Sequence, residues 1–494
     1  MCRRGGAQEQ GAQGVIDGLK PYPAMKDSGV PWLGEVPAHW EVKSLRTILT
    51  RVTKRNRPDL PLLSVVREKG VIRRESMSDD ENHNFVPDDL SNYKVVRAGQ
   101  FAMNKMKAWQ GSYGVSTLDG IVSPAYFVFD VWGVGGAFFH TAIRSGAYVP
   151  ALAQSSDGVR IGQWDLSEAG MRELKFALPP SAEQVSIVRF LDHADRRIRR
   201  YIRAKQKLIK LLEELKAAII HRAVTRGLDA NVRLKPSGVE WLGDVPEHWE
   251  VVRLGRLIEL ATGFPFKSDG FTQDAEDIRL LRGVNISPGK IRWMDVVRWP
   301  LSERDKYSAF ELQVGDIVLG MDRPLIQSGT RVATISEPDV PALLLQRVAR
   351  IRPRRELQGE FLALLFAGKS FAEYLTPIFT GISVPHLSPE QIKSFRLALP
   401  THQEQRQIVR WAAEKTWEIN AAVVSAEREI ELLREYRTRL IADVVTGKLD
   451  VREAAARLPQ EAEDLKLLDE AEVEVDAGDA DAGNTDGMLE EAAA

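Results

Sequence analysis

The sequence predicts an α+β (mixed α/β) fold with a pseudo-two-fold internal repeat, in which two globular domains alternate with two long helices that pair with each other as in a coiled coil. The first observation is that residues 176–229 return as residues 397–450 without a gap, with 18 of 54 positions identical. The second is that residues 28–45 return as residues 237–254, with 13 of 18 positions identical. The third is that short apolar runs bounded by turn residues occupy the stretches between these repeats, as expected of strands.

Residues 176–229 have the features of one long helix. Two prolines end the preceding extended segment, and Ser181 is predicted as the N-cap of a capping box that Gln184 completes. Gly227 is placed for a left-handed C-cap. The apolar residues alternate at spacings of four and three, and such a narrow seam needs a partner helix. The seam residues are Ile187, Leu191, Ile198, Leu208, Leu212, Leu215 and Ile219.

The copy in residues 397–450 is the predicted partner helix. Its capping box is Thr401 with Glu404, and its terminal glycine is Gly447. Matched starts and ends make two unrelated amphipathic surface helices the weaker explanation. The predicted seam residues of this helix are Ile408, Ile419, Ile430, Leu433 and Leu440.

The composition restricts the class of protein. The 494 residues, 44% of them hydrophobic, suffice for several folded domains. The single cysteine, Cys2, excludes intrachain disulfides and multi-cysteine zinc sites, so we expect a cytoplasmic protein without a bound metal. The most apolar run, residues 121–143, contains a proline, an aspartate and three glycines. We interpret it as two buried strands with a turn rather than a membrane span.

Charge is distributed unevenly along the chain. Residues 459–494 contain 13 Asp and Glu and one Lys, so the first 458 residues carry a net charge of +10 in a chain whose total is −2. We predict that residues 458–494 form an acidic disordered tail and that residues 1–21 form a flexible leader. A mildly basic body is compatible with nucleic-acid binding but does not require it.

The repeated segment at residues 28–45 has the pattern WLG-x-VP-x-HWEV in both copies. We interpret its tryptophans, which lie near Gly and Pro, as packing a turn against the core of the domain, which is a structural use. The bodies that follow the two copies resemble each other less than the repeats do. Such an arrangement suits one scaffold with two recognition surfaces. Strands are predicted in LPLLSVV, IVSPAYFVF, DIVLGM, RVATI and QRVARI.

The sequence contains no strong catalytic motif. The Asn/Asp-Pro-Pro-aromatic motif of amino-methyltransferases is absent, and so is the Gly-x4-Gly-Lys-Ser/Thr loop of ATPases. An acidic-x-Lys element typical of nucleases occurs at Glu41 and Lys43, but the second copy has Val252 in place of the lysine. We therefore expect no intrinsic enzyme activity.

These motifs, in this order, resemble the specificity subunits of type I restriction-modification systems. The matching stretches are LPPSAEQVSIVRFLD with KLIKLLEELKAAIIHRAVTRGLD, LPTHQEQRQIV with LLREYRTRLIADVVTGKLD, the paired WLG-x-VP-x-HWEV segments, NKMKAWQGSYGVS followed by IVSPAYFVF, and HLSPEQIKSFRLALP. The resemblance covers residues 22–451. It implies target-recognition domains at residues 22–175 and 234–396. It also implies that the helical regions at residues 176–233 and 397–457 pack antiparallel and form a coiled-coil-like spacer between these domains.

The resemblance implies a non-catalytic chain that reads a bipartite, asymmetric double-stranded DNA target, with one half-site per domain and half-sites about one helical turn (34 Å) apart. It also implies two modification (methyltransferase) subunits docked on the long helices, together with restriction (translocase-nuclease) subunits. The assembled enzyme would be a site-specific deoxyribonuclease and adenine DNA methyltransferase. S-adenosylmethionine, ATP and Mg²⁺ would be held by those partners, and none by this chain. Ile202 and Ile209 lie off the predicted seam and are expected to contact a partner.

Cations and amides in loops of both bodies are candidate DNA contacts, because cations neutralise phosphates and amides pair with adenine edges. The competing interpretation is that Lys and Arg runs are solvated surfaces and that the turn containing Arg160 is purely structural. The candidates are Lys54, Arg55, Arg57, Arg73, Asn104, Lys105, Lys107, Gln110 and Arg160 in the first body, and Lys267, Arg282, Asn285, Arg323 and Arg331 in the second.

The alternative function is a coiled-coil adaptor that binds protein without direct DNA readout. Phosphate contacts make DNA affinity fall steeply with salt, so salt dependence separates the two functions. A system that methylates DNA without cleaving it is also compatible with the sequence, because the partner subunits decide that activity.

Overall fold

The computed structural model describes residues 19–67, 69–76, 86–87, 89–160, 163–326, 329–379 and 385–458. The side chains of residues 156–165 are outside the described part. The predictions of a flexible leader and of a disordered tail fall almost wholly outside it as well. The chain forms two compact units: the first contains residues up to Arg203 and from Ile430 onward, and the second contains residues Ala204–Glu429.

The chain up to Arg226 contains fourteen strands, three short helices and one long helix among the described residues. The strands are β1 Met25–Asp27, β2 Glu35–Pro37, β3 Glu41–Ser44, β4 Leu49–Val52, β5 Leu63–Val66, β6 Gly70–Arg73, β7 Lys94–Val96, β8 Phe101–Asn104, β9 Tyr113–Val115, β10 Gly120–Val122, β11 Tyr126–Val131, β12 Ser156–Arg160, β13 Gln163–Leu166 and β14 Lys175–Leu178. The helices are α1 Gly136–Ile143, α2 Tyr148–Gln154, α3 Glu168–Glu173 and the 46-residue α4 Ser181–Arg226.

The chain after α4 has the same plan. Its strands are β15 Leu234–Pro236, β16 Asp244–Pro246, β17 Glu250–Arg253, β18 Ile258–Thr262, β19 Ile278–Leu281, β20 Ile286–Ser287, β21 Lys290–Ile291, β22 Arg298–Trp299, β23 Ile317–Gly320, β24 Leu325–Ile326, β25 Gly329–Thr330, β26 Val332–Thr334, β27 Ala342–Leu344, β28 Val348–Pro353 and β29 Arg396–Leu399. The helices are α5 Gly359–Ala367, α6 Lys369–Phe379, α7 Pro389–Ser394, the 44-residue α8 His402–Val445 and α9 Arg452–Ala456.

Each unit contains a four-stranded antiparallel sheet with equivalent topology. The order is β4-β11-β8-β9 in the first unit and β18-β28-β23-β26 in the second. In each unit the strand that follows the WLG segment pairs with the strand that precedes a long helix, β3 with β14 and β17 with β29. β14 and β29 cross the predicted domain boundaries, because they complete the recognition domains. The strands predicted in five apolar runs are confirmed.

The second unit has an additional three-stranded sheet in the order β22-β19-β27, in which β19 and β27 are parallel. Around it an aromatic cluster forms a small separate core. The cluster contains Phe264, Phe266, Trp299 and Tyr307, with Phe266 and Tyr307 ring centroids 4.8 Å apart. The bodies therefore share a central sheet and differ in what is inserted around it.

Most of the predicted seam residues of the long helices are at least partly buried. In the first unit Ile187, Leu191, Ile198 and Leu440 are buried, and in the second unit Ile408 and Ile419 are buried. Ile430, at the start of the C-terminal part of the first unit, is buried as well. Leu212, Ile219 and Leu433 are half-buried.

Leu208 and Leu215 are 42% and 51% exposed, so they do not lie between the two helices, and their predicted role is a contact with a partner subunit. Ile202 and Ile209 are half-buried instead. Apolar residues occupy adjacent positions here, so the four-three pattern fits two registers one residue apart. The register adopted turns Lys205 toward Glu429, and their Nζ and Oε2 atoms lie 2.7 Å apart.

The ion pairs between the helices have the order of an antiparallel pair. Asp195 of α4 pairs with Arg437 of α8 in the first unit, and ten residues later Lys205 pairs with Glu429 in the second. Advancing along α4 therefore corresponds to moving back along α8, which confirms the predicted antiparallel arrangement.

The ends of the helices agree with the sequence except at one position. Thr401 and Glu404 form the predicted box, because Thr401 N donates to Glu404 Oε2 (3.0 Å) and Glu404 N donates to Thr401 Oγ1 (3.3 Å). Gly227 and Gly447 have φ values of 72° and 77°, as predicted for left-handed caps. Ser181 is already helical, and the Gln184 side chain instead donates to Pro179 O (2.8 Å) and accepts from Gly135 N (2.7 Å).

The apolar run at residues 121–143 is only partly as predicted. β10 and β11 account for its first half, but the second half forms α1. Phe138, Phe139, Ala142 and Ile143 of that helix are buried, so helical spacing serves the core here better than a second strand. None of the helices in the described residues is both long enough and apolar enough to cross a membrane.

In the first unit the described chain begins beside the residues that follow α8. Lys20 forms an antiparallel bridge with Asp450, whose amide donates to Lys20 O at 2.8 Å. Arg452 pairs with Asp450 and lies over the ring of Tyr22 at 5.0 Å. Val451 and Ala455 are buried in the same core, so α9 is an integral part of this unit.

Candidate nucleic-acid interface

A carboxylate at the start of each long helix fixes the repeated WLG segment. Glu183 Oε1 accepts the indole N–H of Trp40 (2.9 Å) and the hydroxyl of Tyr22, while its Oε2 lies 2.8 Å from His39 Nε2. Glu183 is 6% exposed, and Trp40 is fully buried. The indole N–H of Trp40 and the Nε2 atom of His39 therefore have their hydrogen-bond partner on α4, and this contact attaches the domain to its helix.

The second unit repeats this contact. Glu404 Oε1 lies 2.7 Å from His248 Nε2 and accepts the indole N–H of Trp249 at 3.1 Å. Burial raises the pKa of Glu404, but hydrogen bonds from His248, Trp249 and Thr401 outweigh it and lower the pKa to about 2. The carboxylate is therefore ionised at neutral pH. Both WLG segments thus have the structural role that the sequence indicates, and they orient the body that carries the candidate DNA contacts.

In the first unit four cations surround one cleft of about 340 Å³. Lys54, Arg55 and Arg57 follow β4, and Arg97 follows β7. Arg57 forms two hydrogen bonds to Asp59 (2.6 and 2.7 Å), and Arg97 pairs with Asp119 at 2.6 Å. Two of the four cations are therefore paired with carboxylates, and Lys54 and Arg55 supply the net positive charge that a phosphate site requires.

The two loops predicted to contact DNA meet near Lys94. Lys94 is 4% exposed, and its ammonium donates to Tyr126 O. Burial lowers the pKa of Lys94, and the positive charges of Arg51, Arg55 and Lys105 lower it further. Arg55 belongs to the loop after β4, whereas Lys105 belongs to the loop after β8. The sequence predicts two separate groups of candidate DNA contacts, one after β4 and one after β8, and the structure places both near Lys94.

The loop after β8 ends in a 3-10 helix, Ala108–Gln110, that is anchored by buried Ala108. Asn104 Oδ1 accepts from Met106 N at 3.2 Å, and its Nδ2 lies 3.4 Å from Tyr126 Oη. Lys107 and Met106 are exposed, and Gln110 is half-buried. The Asn104 amide orders the loop, and the exposed side chains of the loop are available to a ligand.

The second unit has a different set of cations. Arg323, which has a φ of 45°, is exposed, and Arg331 is half-buried behind it. Burial lowers the pKa of Arg331, and the charge of Arg323 lowers it further. The buried Nε of Arg331 has no hydrogen-bond partner within the described structure. An unsatisfied guanidinium beside a second cation is an environment that a phosphate improves.

The three other candidate DNA contacts of the second body differ in their exposure. Asn285 is 1% exposed, and its amide is used internally: Oδ1 accepts from Arg282 N, and Nδ2 donates to Arg292 O and Met294 O. It lacks the exposure that base contact requires, which corrects the prediction. Arg282 is half-buried and donates to Asp295 O. Lys267 is exposed beside the aromatic cluster.

The remaining candidates lie elsewhere in the first unit. Arg73 ends β6 and is exposed. Arg160 lies in β12, but its side chain is outside the described part. Sequence reasoning missed Lys94 and Arg97. Lys94 could have been found from its position directly before two valines, which is typical of a buried strand. A lysine in a buried strand needs a specific hydrogen-bond partner.

What the two bodies share is positive charge at the edge of a rigid sheet, and cations of this kind contact phosphates. Within the described ranges no three His, Cys, Asp or Glu side chains are grouped as metal ligands.

Comparison with known proteins agrees with this geometry. Residues 246–411 match the family described as Type I restriction modification DNA specificity domain. The specificity subunit of the type I restriction enzyme MjaVIII of Methanocaldococcus jannaschii is 28% identical over 280 residues, which are 56% of this chain and 63% of the relative. That of EcoAI of Escherichia coli is 35% identical over 167 residues, 34% of this chain and 28% of the relative. The chain thus aligns with less than two thirds of the length of either relative.

A solved structure described as the structural basis of complex assembly and conformational transition of a type I R-M system has the same fold. It superposes with a TM-score of 0.57 at 14% identity, over 83% of this chain and 98% of that chain. The fold and these matches define a two-domain protein with a DNA specificity domain. Residues 246–411 therefore match a type I DNA specificity domain, and the aligned parts of the chain are similar to specificity subunits of type I restriction enzymes.

Proposed function

We propose that this chain reads a bipartite, asymmetric double-stranded DNA sequence on behalf of a type I restriction-modification complex. Each recognition domain would bind one half-site, the first through the cleft lined by Lys54, Arg55, Arg57 and Arg97, and the second through the surface of Arg323 and Arg331. The chain itself would bind no cofactor. S-adenosylmethionine, ATP and Mg²⁺ would act on the partner subunits.

One observation carries this proposal: the same frame is built twice and holds two different cationic surfaces. The sheets β4-β11-β8-β9 and β18-β28-β23-β26 have the same order, and the contacts of Glu183 and Glu404 are repeated. The cations differ, because those of the first unit follow β4 and β7 as well as β8, whereas Arg323 and Arg331 of the second unit lie between β23, the counterpart of β8, and β26. A duplicated scaffold with unlike surfaces is what the reading of two unlike half-sites requires.

Exposed apolar side chains on the long helices support the docking of partner subunits. In the second unit Leu208 and Leu215 of α4 are exposed, and Trp417 and Val424 of α8 are 69% and 63% exposed. Two modification subunits would cover such stripes, and the restriction subunits would join that complex. Because the proposed substrate is chromosomal and foreign DNA, we place the complex in the cytoplasm.

Detection of methylated bases across the source genome, with and without this gene, tests the function. We expect methylation at one asymmetric bipartite motif with a fixed spacer to disappear with the gene. Exchange of the first body alone should then change one half-site only. A change in both half-sites would contradict the assignment of one half-site to each domain.

A protein-binding adaptor is the second candidate, because exposed Trp417 and Val424 suit protein contacts as well. The salt dependence of DNA binding by the complex with its modification subunits separates the two. The slope of log affinity against log salt should become shallower by about one in Lys54→Gln. The control is Lys43→Gln, in which an exposed lysine paired with Glu41 on β3 is lost and the slope should not change. Equal slopes in both variants and the parent would favour the adaptor.

A further inference from the structure

Two arginines of the second unit have backbone conformations that arginine rarely adopts. Arg323 follows β23 and has a φ of 45°, and Arg347 lies between β27 and β28 and has a φ of 65°. In this left-handed region the Cβ atom crowds the following carbonyl oxygen, so a residue such as arginine stays there only when the surrounding structure holds it. Strained positions of this kind are concentrated in binding sites, which makes the surroundings of both arginines a candidate site.

The carboxylate of Asp322 holds the side chain of Arg347. Its Oδ2 atom accepts a hydrogen bond from Arg347 Nη1 at 2.9 Å, and its Oδ1 atom lies 2.6 Å from Nδ1 of His386. The backbone adds a second link, because Met321 N donates to Arg347 O at 2.9 Å. The side chain of Arg347 is nevertheless 61% exposed. The guanidinium therefore faces solvent in an orientation that is fixed from below.

The charge of Asp322 decides what Arg347 can bind. Burial raises the pKa of Asp322, but hydrogen bonds with His386 and Arg347 outweigh it, and the pKa lies below its usual value. The ionised carboxylate offsets the charge of Arg347 and repels phosphate oxygens. Within the described ranges Nη1 is the only guanidinium nitrogen of Arg347 that has a hydrogen-bond partner. The Nε and Nη2 atoms therefore suit uncharged acceptors, such as those on the edge of a base.

This pair of residues is particular to the second unit. β8 pairs with β11 in the same register as β23 pairs with β28, and the offset of 209 residues between the WLG segments gives the same match of positions. Counted from these strands, Met106 and Ala125 of the first unit occupy the positions of Asp322 and Arg347. Neither of them can form an ion pair.

The neighbouring position carries a cation in both units. Lys107 of the first unit corresponds to Arg323 of the second, and both side chains are exposed. Phosphate contacts carry no sequence information, whereas base contacts do. A cation that both units share suits the DNA backbone, and a pair that one unit has suits the bases of one half-site.

We propose that Arg347 reads a guanine in the half-site of the second unit and that Asp322 is the residue that positions it, an inference that rests on the function proposed above. Nε and Nη2 of Arg347 donate two parallel hydrogen bonds to the O6 and N7 atoms of guanine in the major groove. Asp322 holds the plane of the guanidinium before DNA binds, so less side-chain entropy is lost on binding. Arg323 contacts the phosphate backbone beside this base.

Binding competition by the complex with its modification subunits tests the proposal, with duplexes in which each base pair of the second half-site is replaced in turn. The preference of the parent for one G·C pair should fall by about tenfold or more in Arg347→Lys, which keeps the charge but loses the fork. Arg347→Gly should lose the same preference without a lower unfolding temperature, since glycine suits a φ of 65°. Asp322→Asn should reduce the preference at the same base pair by a smaller factor.

The matched control is Arg354→Lys, which alters an exposed arginine at the other end of β28 and should leave every preference unchanged. Arg323→Met should weaken binding to all duplexes alike, as loss of a phosphate contact does. Unchanged preferences in Arg347→Lys and Arg347→Gly, an equal loss for all duplexes in these variants, or a second half-site without a G·C pair would overturn this inference alone. A parent complex with no preference among DNA sequences would overturn the proposed function itself.

Discussion

At the scale of single residues, Glu404 and Glu183 decide how each recognition domain is held to its long helix. Each accepts an indole N–H from a buried tryptophan and contacts the adjacent histidine. The hydrogen bonds that the Glu404 carboxylate accepts favour its ionised form and lower its pKa, so the stabilising contribution of Glu404 depends on pH.

Replacement of Glu404 by Gln should destabilise the second unit by about 1–3 kcal/mol at pH 7, because charge-assisted hydrogen bonds are weakened. The folded-state pKa of about 2 lies below the usual 4.5. The contribution of Glu404 is thus fully present above about pH 4.5 and is lost as the pH falls toward 2. Urea unfolding followed by tryptophan fluorescence should show the gap between parent and variant narrowing over that range.

The control for this experiment is Glu414→Gln, which alters an exposed glutamate on the same helix. Its stability should follow that of the parent at every pH. A gap between the parent and Glu404→Gln that stays constant down to pH 2 would mean that the carboxylate contributes by packing rather than by charge.

Arg331 is expected to lower the stability of the second unit while it contributes to DNA binding. Because its buried Nε has no partner in the described structure, Arg331→Met should raise the free energy of unfolding by about 1 kcal/mol. The same variant should weaken DNA binding by the complex if a phosphate satisfies that group. Denaturant titration and DNA binding measure the two effects.

Arg323→Met is the matched control, since Arg323 is exposed. Its stability should change by less than about 0.5 kcal/mol. If Arg331→Met proves less stable than the parent, the guanidinium has a structural role and is not held ready for a ligand.

At the scale of elements, the register of α4 gives two adjacent residues different exposure to solvent. Ile209 is half-buried, whereas Leu208 is exposed. Ile209→Asp should lower the free energy of unfolding by about 1–3 kcal/mol, because a charge replaces a half-buried apolar side chain. Leu208→Asp should change it by less than about 0.5 kcal/mol and should instead weaken assembly with the modification subunits. Thermal unfolding and co-purification distinguish the variants, and the reverse order of stability would favour the register first predicted.

The long helices and most of their ends could be predicted because the two copies of the repeat, residues 176–229 and 397–450, can be compared with each other. A pattern that is ambiguous in one copy is decided in the other, as at Thr401 and Glu404. The register of α4 could not be predicted, since Tyr201 and Ile202, and likewise Leu208 and Ile209, satisfy the same spacing. Only the contact between Lys205 and Glu429 selects one.

At the scale of the whole molecule, the proposed spacing of the half-sites depends on helix length. Insertion of seven residues in α4 near Tyr201 and seven in α8 near Ala422 keeps the seam in phase and lengthens each helix by about 10 Å. We expect the spacer of the methylated motif to grow by about three base pairs with both half-sites unchanged. Sequencing of methylated bases measures this, and altered half-sites with a constant spacer would refute it.

The candidate site was less predictable than the frame. Runs of cations near residue 54 and residue 104 were visible, but their convergence around Lys94 depends on the pairing of β4, β8 and β11. Asn285 shows the converse. An amide next to an arginine looks like a base reader in sequence, and only its burial reveals that it serves the fold.

The bridge between Lys20 and Asp450 has a topological consequence. The two repeats are offset by 209 and 221 residues, so Lys20 and Asp450 both correspond to Asp229, one residue of the unbroken chain. The repeated part of the chain therefore starts and ends at neighbouring residues, at the position that corresponds to Asp229 in the middle of the chain. A circular permutant that keeps α9, joins residue 458 to residue 20 through a flexible linker and is opened within residues 229–233 should fold and keep the same target, because the bridge holds the Cα atoms of residues 20 and 450 only about 5 Å apart. Failure to fold, with the linker length varied, would show that the order of synthesis matters more than the closed path.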